Sequence, residues 1–294
     1  MNTFQRIIKN ITTAFMVTAG ICLIALVIEL GIFITDWFQV KQPFSIFSKK
    51  GIQTEKSLED TQKSYPDVNS LCISSGSFNL SIKQDSSLTE PAICYEKTKG
   101  KLSFKQDDKT LYIKEKRTYN LYSLFHKKEE FSIASGTIYI FIPKDYALEN
   151  VELHLGTAST SLDNFYAKNL VIHGDSGTLT ADGTIAQNAN LIMASGQSQL
   201  QNVTFHNYTL ETGSGEFLCS GQFTSGGDFQ IGSGDATLVF YASRNYYGLK
   251  LEKGEGDLLI DGTDYEDVPI TDNPSHTITL KNDTGNVNLI FQQQ

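Results

Sequence analysis

The sequence predicts an all-β protein: a parallel β-solenoid with about 19–20 residues per rung, preceded by one N-terminal transmembrane helix. A Ser-Gly pair that recurs every nineteen residues and short segments of alternating apolar and polar residues predict the solenoid. A long uncharged apolar run predicts the helix. We therefore expect a cytoplasmic N-terminus (1–10), a transmembrane helix (11–35), a juxtamembrane linker (36–66) and an extracytoplasmic β-solenoid domain (67–294).

The membrane helix is predicted from nineteen consecutive uncharged residues at positions 10–28, since about twenty apolar residues span a bilayer as a helix. Arg6 and Lys9 precede this run, and Glu29 and Asp36 follow it. Because positive residues stay on the cytoplasmic side, the large domain is expected outside the cell. The localisation is therefore predicted to be the cell membrane, with a single pass.

A cleaved signal peptide is the alternative interpretation of the same run. Its apolar stretch would be about seven to fifteen residues long and would end at a site with small residues. The apolar run here is longer, and residues 35–38 (Thr-Asp-Trp-Phe) form a poor cleavage site. We therefore predict an uncleaved anchor.

Charge excludes one class of partner. The formal net charge is −9, and residues 151–243 contain one basic side chain, Lys168, against eight carboxylates. Nucleic-acid binding requires the opposite sign, because neutralising phosphates supplies most of the affinity. The expected partners are the membrane and another envelope protein or a glycan.

The repeats define the predicted rungs. Apolar or small residues occupy the position five before each repeat glycine and the position four after it, as inward-facing columns require. Glycine is expected in the turn because it adopts positive φ at little steric cost. An immunoglobulin-like sandwich would not explain equal spacing. The Ser-Gly pairs lie at 176–177, 195–196, 214–215 and 233–234, and the columns are Ile172, Leu191, Leu210, Phe229 and Ala181, Leu200, Cys219, Leu238.

Residues 67–291 resemble the bacterial DUF4097 family of β-strand-repeat, adhesin-like proteins. The matching features are the repeats SGTLTA, SGEFLC and SGDATL, the closing TGNVNLIF, and an Ile-Pro element within TIYIFIPKDYALENVELHLG. The resemblance implies a β-solenoid attached to the envelope, and it supplies no catalytic residues and no cofactor. The basic, aromatic insertion at 116–130 departs from the family pattern.

Carboxylates follow the turn glycine in three later repeats, at Glu216, Asp235 and Asp257. Rungs lie about 4.8 Å apart, so these residues, taken in chain order, could form a vertical ladder. Such a ladder would suit a cation or an acid–base pair for glycoside hydrolysis. The alternative, which we favour, is that acidic residues simply suit a solvated turn.

Aromatic residues form two further candidate interaction sites, one in the basic insertion and one near the last rungs. Exposed aromatic clusters stack on sugars or anchor partner proteins, whereas core or cap packing is the alternative. The residues are Tyr119, Tyr122, Phe125, Tyr241, Tyr246 and Tyr247.

The remaining polar residues indicate little chemistry. Cys72 and Cys94 are either a disulfide or two small apolar residues on adjacent strands. His154 and His173 are nineteen residues apart and could stack, but no metal-ligand spacing accompanies them, and a single pair of this kind is more often a surface coincidence. We expect no catalytic site, no metal and no cofactor.

The sequence therefore predicts a non-catalytic, membrane-anchored envelope protein that serves as a structural, adhesive or interaction module outside the cell. Two alternatives remain: a sensory or regulatory subunit of an envelope-stress system, and a β-helix enzyme acting on polysaccharide.

Overall fold

The computed structural model describes residues 62–95, 101–116, 136–267 and 273–292. Within these ranges the chain forms twenty-one strands and three short 3-10 helices, so the predicted all-β class is confirmed. The strands are β1 (Lys63–Ser64), β2 (Ser70–Ser74), β3 (Asn79–Asp85), β4 (Ala92–Tyr95), β5 (Lys101–Asp107), β6 (Thr110–Lys116), β7 (Thr137–Pro143), β8 (Ala147–Leu155), β9 (Thr160–Asp163), β10 (Tyr166–Gly174), β11 (Thr178–Asp182), β12 (Ile185–Met193), β13 (Gln197–Thr212), β14 (Phe217–Phe223), β15 (Gly227–Ile231), β16 (Ala236–Phe240), β17 (Gly248–Glu252), β18 (Leu258–Ile260), β19 (Thr263–Asp264), β20 (Thr277–Asn282) and β21 (Val287–Phe291).

Parallel pairing arranges the strands in two faces, as expected of a solenoid-like fold. The first face has the order β6–β2–β8–β10–β12–β13–β15–β20–β17. The second has the order β7–β3–β9–β11–β13–β14–β16–β21–β18. β13 belongs to both faces, because its first residues pair with β11 and its last with β12. One strand from each face makes a rung, and nine such rungs stack in the described ranges.

The nineteen-residue register places the predicted inward columns in the core. Leu191 pairs with Ile172 on one side and with Leu210 on the other, and Leu200 pairs with Ala181 and Cys219. All members of both predicted columns are at most 5% exposed. Successive residues of each strand point alternately inward and outward. The inward-facing residues of both faces form one continuous apolar cluster.

The repeat glycines stack directly on one another, for a reason that differs from the prediction. Gly177, Gly196, Gly215 and Gly234 are not among the residues with positive φ. Instead, a Cβ atom built on Gly196, Gly215 or Gly234 would overlap the carbonyl oxygen of the repeat glycine one rung before it. Glycine is therefore required because the turns approach too closely for a side chain, and the predicted role of positive φ at these positions is wrong.

On the regular rungs, positive φ recurs instead at the opposite corner. Asp145, Asn164, Gly183 and Asn202 have φ values of 63°, 52°, 64° and 51°, and they too are spaced by nineteen residues. Asp, Asn and Gly are the residue types that tolerate this conformation. The Ile-Pro element provides the first of these corners, at the turn between β7 and β8.

The two ends of the solenoid depart from chain order. At the C-terminal end, β20 and β21 lie between the rung β15–β16 and the rung β17–β18. At the other end, the rung β2–β3 lies between β6–β7 and β8–β9. Chain order therefore does not give the order of the rungs at either end, because the spacing of a repeat does not specify which rung it pairs with.

Aromatic side chains fill the core towards the C-terminal end. Phe223 lies at the centre of this cluster, with ring centroids 4.9 Å from Tyr208 and Phe240 and 5.8 Å from Phe229. The Tyr247 hydroxyl donates a hydrogen bond of 2.9 Å to the Phe223 carbonyl oxygen. These contacts join both faces across the rungs β13–β14 and β15–β16.

The predicted N-terminal segments mostly fall outside the described residues, including the helix at 11–35. In the ranges that the structure describes, no helix combines the length and apolarity needed to cross a bilayer. β1 begins at Lys63 and pairs with β4, and Tyr65 is 5% exposed, so residues 63–65 pack against the domain.

Candidate functional site

The candidate carboxylates lie along one edge of the second face, where each rung leaves its glycine turn. Glu216 and Asp235 occupy equivalent positions on adjacent rungs, directly before residues that pair in β14 and β16. Asp257 is not next to Asp235, because the rung that carries Asn286 lies between them. The predicted ladder of three consecutive carboxylates is therefore interrupted by an amide.

Hydrogen bonds explain why polar residues occupy this edge. The backbone N–H of Asn286 donates to Oδ1 of Asp235 over 3.0 Å, and the backbone N–H of Asp257 donates to Oδ1 of Asn286 over 3.0 Å. Each side chain thus caps the backbone of the next rung at the entry to a strand. This arrangement favours the interpretation that acidic residues simply suit a solvated turn. A cation or acid–base site at Glu216 and Asp235 stays a prediction.

We expect the double change Glu216→Gln, Asp235→Asn to leave the melting temperature within a few degrees of the original, because Asp235→Asn keeps the side-chain oxygen that accepts from Asn286 and the double change removes one repulsion between like charges. Added calcium should not stabilise either protein. Thermal unfolding of the full chain with and without calcium measures this. A calcium-dependent rise that disappears in the double variant would identify a cation site, because a ligand specific for the folded state stabilises it by mass action.

The candidate aromatics have different surroundings. Tyr246 is 40% exposed, and its ring centroid lies 4.2 Å from that of His276. Tyr241 is half-buried, and its hydroxyl donates to Oδ1 of Asn202 over 3.2 Å. Tyr247 is 1% exposed and belongs to the core, so its predicted role in interaction is wrong and the packing alternative holds. Tyr119, Tyr122 and Phe125 lie outside the described residues.

The two candidate disulfide partners lie on different faces. Cys72 is in β2 of the first face, half-buried, whereas Cys94 is buried in β4 beside β7 of the second face. The structure has no disulfide between them. The predicted alternative of adjacent strands is also not observed.

A ladder of asparagines on the first face was missed by the sequence analysis. The Nδ2 group of each asparagine after the first donates to Oδ1 of the asparagine on the preceding rung, over 2.8–3.0 Å. The same nineteen-residue count that located the glycines would have found it. The members are Asn150, Asn169, Asn188 and Asn207.

A shallow groove of about 660 Å³ lies beside the asparagine ladder. The position that follows Asn207 in the register is Gly226, which has no side chain to continue the ladder and also lines the groove. Asn190, Thr209 and Asp228 provide further polar groups along it. The result is a long, mainly uncharged surface of hydrogen-bond donors and acceptors.

Burial causes the largest pKa shifts among the described residues, whereas hydrogen bonds cause the shifts at exposed groups such as Asp85, Lys105 and Lys281. Burial raises the pKa of the Cys219 thiol and of the Tyr208 hydroxyl. Burial also raises the pKa of Tyr247 to about 12, against the opposing effect of its hydrogen bond to the Phe223 carbonyl. Burial, followed by the charge of Glu152, raises the pKa of the Cys72 thiol. All four groups are therefore held protonated at neutral pH and are poorly suited to general base catalysis.

The rings of His154 and His173 stack, with centroids 5.4 Å apart and planes inclined by 10°. Among the described residues, no group of three or more His, Cys, Asp or Glu side chains could hold a metal ion. The geometry therefore offers an extended polar surface and a few pairs of interacting side chains.

Comparison with known proteins gives a family and two similar structures. The sequence profile of the family described as Toastrack DUF4097 matches residues 68–290. A crystal structure described as a "putative cell adhesion protein" from Clostridium sporogenes is 15% identical, covers 79% of this chain and 98% of that chain, and gives a TM-score of 0.34. A "putative adhesin" from Bacteroides fragilis is 14% identical, covers 82% of this chain and 100% of that chain, and gives a TM-score of 0.33. No curated protein matches the sequence.

Proposed function

The chain belongs to the Toastrack DUF4097 family, and we propose that it is a non-catalytic interaction module of the cell envelope. In this proposal a helix over residues 11–35 anchors it in the membrane, and the solenoid-like domain is displayed outside the cell. The support for the anchor is the apolar run at 10–28 with Arg6 and Lys9 before it.

The observation that carries the interaction role is the asparagine ladder with its adjoining groove. Enzyme sites are typically concave and contain titratable groups with pKa values matched to proton transfer. The groove here is shallow, and it is lined by amide and hydroxyl groups such as those of Asn188, Asn190 and Thr209. Such a surface suits hydrogen bonding to an extended, uncharged partner surface better than it suits catalysis.

Rigidity supports the same role. The strands under the groove, β10, β12 and β13, are hydrogen-bonded to a parallel neighbour on each side. The amide side chains are also held in place by one another. Little conformational freedom is therefore lost when a partner binds, which favours affinity. The proposed partner is another envelope protein or a glycan.

Photo-cross-linking on intact, wall-stripped cells tests this function. A photoreactive residue placed at Asn190, in the groove, should give a discrete cross-linked species with the full-length protein. The matched control is the same residue at Gln199, which is exposed on the second face and should give none.

Two results would contradict the proposal. Equal cross-linking from positions 190 and 199 would show that the groove has no special role. A protease added to the same cells should remove the chain after about residue 40, and protection of the domain would contradict its display outside the cell.

A further inference from the structure

The hydrogen bonds of the asparagine ladder all run in one direction. Asn207 donates through Nδ2 to Oδ1 of Asn188, which donates to Asn169 in the same way. Asn169 donates to Asn150, whose own Nδ2 group donates to the Ser70 hydroxyl over 3.4 Å. Aligned hydrogen bonds polarise one another, so the oxygen at the open end of the chain becomes a stronger acceptor. That oxygen is Oδ1 of Asn207, and no group among the described residues donates to it.

Each amide inside the ladder keeps half of its hydrogen-bonding capacity. A side-chain amide has two N–H groups and two oxygen lone pairs, and Asn169 and Asn188 each use one of each within the ladder. One donor and one acceptor therefore remain on each of these rungs, which lie about 4.8 Å apart. Sugar hydroxyls both donate and accept, and one sugar ring spans about this distance along a glycan. An extended peptide repeats its like-facing groups every two residues, or about 6.6–6.8 Å, and matches the rungs less well.

The groove has one charge, at the end where the ladder stops. Among the described residues that line it, Asp228 alone is charged. Asp228 is exposed, and none of the ion pairs among the described residues includes it. It pairs with Thr209, and Asn207 lies two residues before Thr209 on the same side of the strand. The Asp228 carboxylate and Oδ1 of Asn207 are therefore diagonal neighbours, and both are acceptors without a donor.

We propose that the groove binds a polysaccharide that has free amino groups, with one ammonium group held between Asp228 and Asn207. This inference rests on the interaction role proposed above and specifies the partner. An ammonium group has three N–H donors and a positive charge, so it satisfies both acceptors at once. Such charge-assisted hydrogen bonds are roughly twice as strong as neutral ones.

The rest of the chain lies along the ladder in this proposal. Its uncharged ring hydroxyls bond to the amides of Asn169 and Asn188, and only the end of the groove receives a charge. The wider surface favours a cationic ligand, because residues 151–243 contain eight carboxylates and one basic side chain, Lys168. That lysine lies 3.4 Å from Glu149, and it is not among the residues that line the groove.

Calorimetric titration of the full-length protein in mild detergent tests the site. The probe is a short oligomer of β-1,4-linked glucosamine, at a slightly acidic pH where its amino groups are protonated. The matched ligand is the fully N-acetylated oligomer, which has the same linkage but no ammonium groups. We expect the glucosamine oligomer to bind at least about tenfold more tightly. Asp228→Asn should remove most of this preference, since it keeps the shape of the side chain and removes its charge.

Three variants show whether the acceptors themselves are responsible. Asn207→Ala removes the terminal oxygen and should weaken binding of the glucosamine oligomer at least about fivefold, whereas Asn207→Asp keeps an oxygen there and should not weaken it. Asp175→Asn is the matched control, because it removes the same charge from an exposed turn outside the groove. It should leave the affinity unchanged. The β-sheet circular dichroism signal of every variant should equal that of the original protein.

Equal affinity for the two oligomers would overturn the inference. Equal losses in Asp228→Asn and Asp175→Asn would overturn it too, since they would indicate attraction to net charge alone. Tighter binding of a lysine peptide than of the glucosamine oligomer would assign the groove to a protein partner instead. A specific cross-link from position 190 on cells, without binding of the glucosamine oligomer, would overturn this inference and leave the proposed function intact.

Discussion

Replacing Gly215 with alanine is expected to destabilise the folded domain by about 3 kcal/mol or more. A Cβ atom at this position would overlap the carbonyl oxygen of Gly196 on the preceding rung, while Gly234 approaches Gly215 in the same way from the next rung. The clash is with backbone, so a change of rotamer cannot relieve it. Alanine also restricts the unfolded chain, but that effect favours folding by only about 0.4–1 kcal/mol. The steric overlap therefore outweighs this gain, and the net effect of the substitution is a loss of stability.

Chemical unfolding of the full chain in mild detergent, followed by the β-sheet circular dichroism signal, measures this cost. Ser214→Ala is the matched control, since Ser214 is exposed in the same turn and should change stability by less than about 0.5 kcal/mol. If Gly215→Ala were as stable as the original, the rungs would have to be further apart at this turn than the structure shows.

The regular part of the fold was predictable because a single period controls it. The spacing of the Ser-Gly pairs located the columns that contain Leu191, Leu200 and Leu210, and the structure places all of them in the core. The reason for glycine was not predictable in the same way. Positive φ in a tight turn and a close approach between stacked turns both require glycine. Only the structure shows that the close approach is the reason here.

The order of the end rungs was not predictable from the period. Local sequence determines that Asp257 and Asn286 each follow a glycine, but pairing between distant segments determines that Asn286 comes between Asp235 and Asp257. The interrupted carboxylate ladder is a direct consequence. A repeat copy separated from its neighbours by an irregular spacing carries no information about the rung on which it stacks.

The surface features also divide into those that the nineteen-residue period predicts and those that it does not. The asparagine ladder obeys the period that revealed the glycines, so its members could have been found by counting outward-facing positions. Other neighbours on this face needed the structure: Cys72 pairs with Glu152 although it comes from a segment eighty residues earlier in the sequence.

Replacing Phe223 with alanine is expected to cost about 3–5 kcal/mol, the range for a large buried aromatic side chain. Phe223 is 1% exposed, and its ring contacts Tyr208, Phe229 and Phe240. Its removal leaves a cavity between the two faces, and the hydrogen-bonded rungs cannot collapse to fill it. The loss of these aromatic contacts adds to the cost of losing buried apolar area.

The same unfolding measurement applies, and two variants show whether the cost comes from the core. Phe223→Leu keeps most of the apolar volume and should recover much of the loss. Phe141→Ala removes a phenylalanine that is only half-buried and lies under Lys83 on the second face, so it should cost much less than Phe223→Ala. If the Phe141 and Phe223 variants were equally destabilised, burial between the faces would not be the cause. A large loss of stability in Phe223→Ala that is largely recovered in Phe223→Leu would instead show that the cluster around Phe223 joins the two faces. Backbone hydrogen bonds along each face cannot do this.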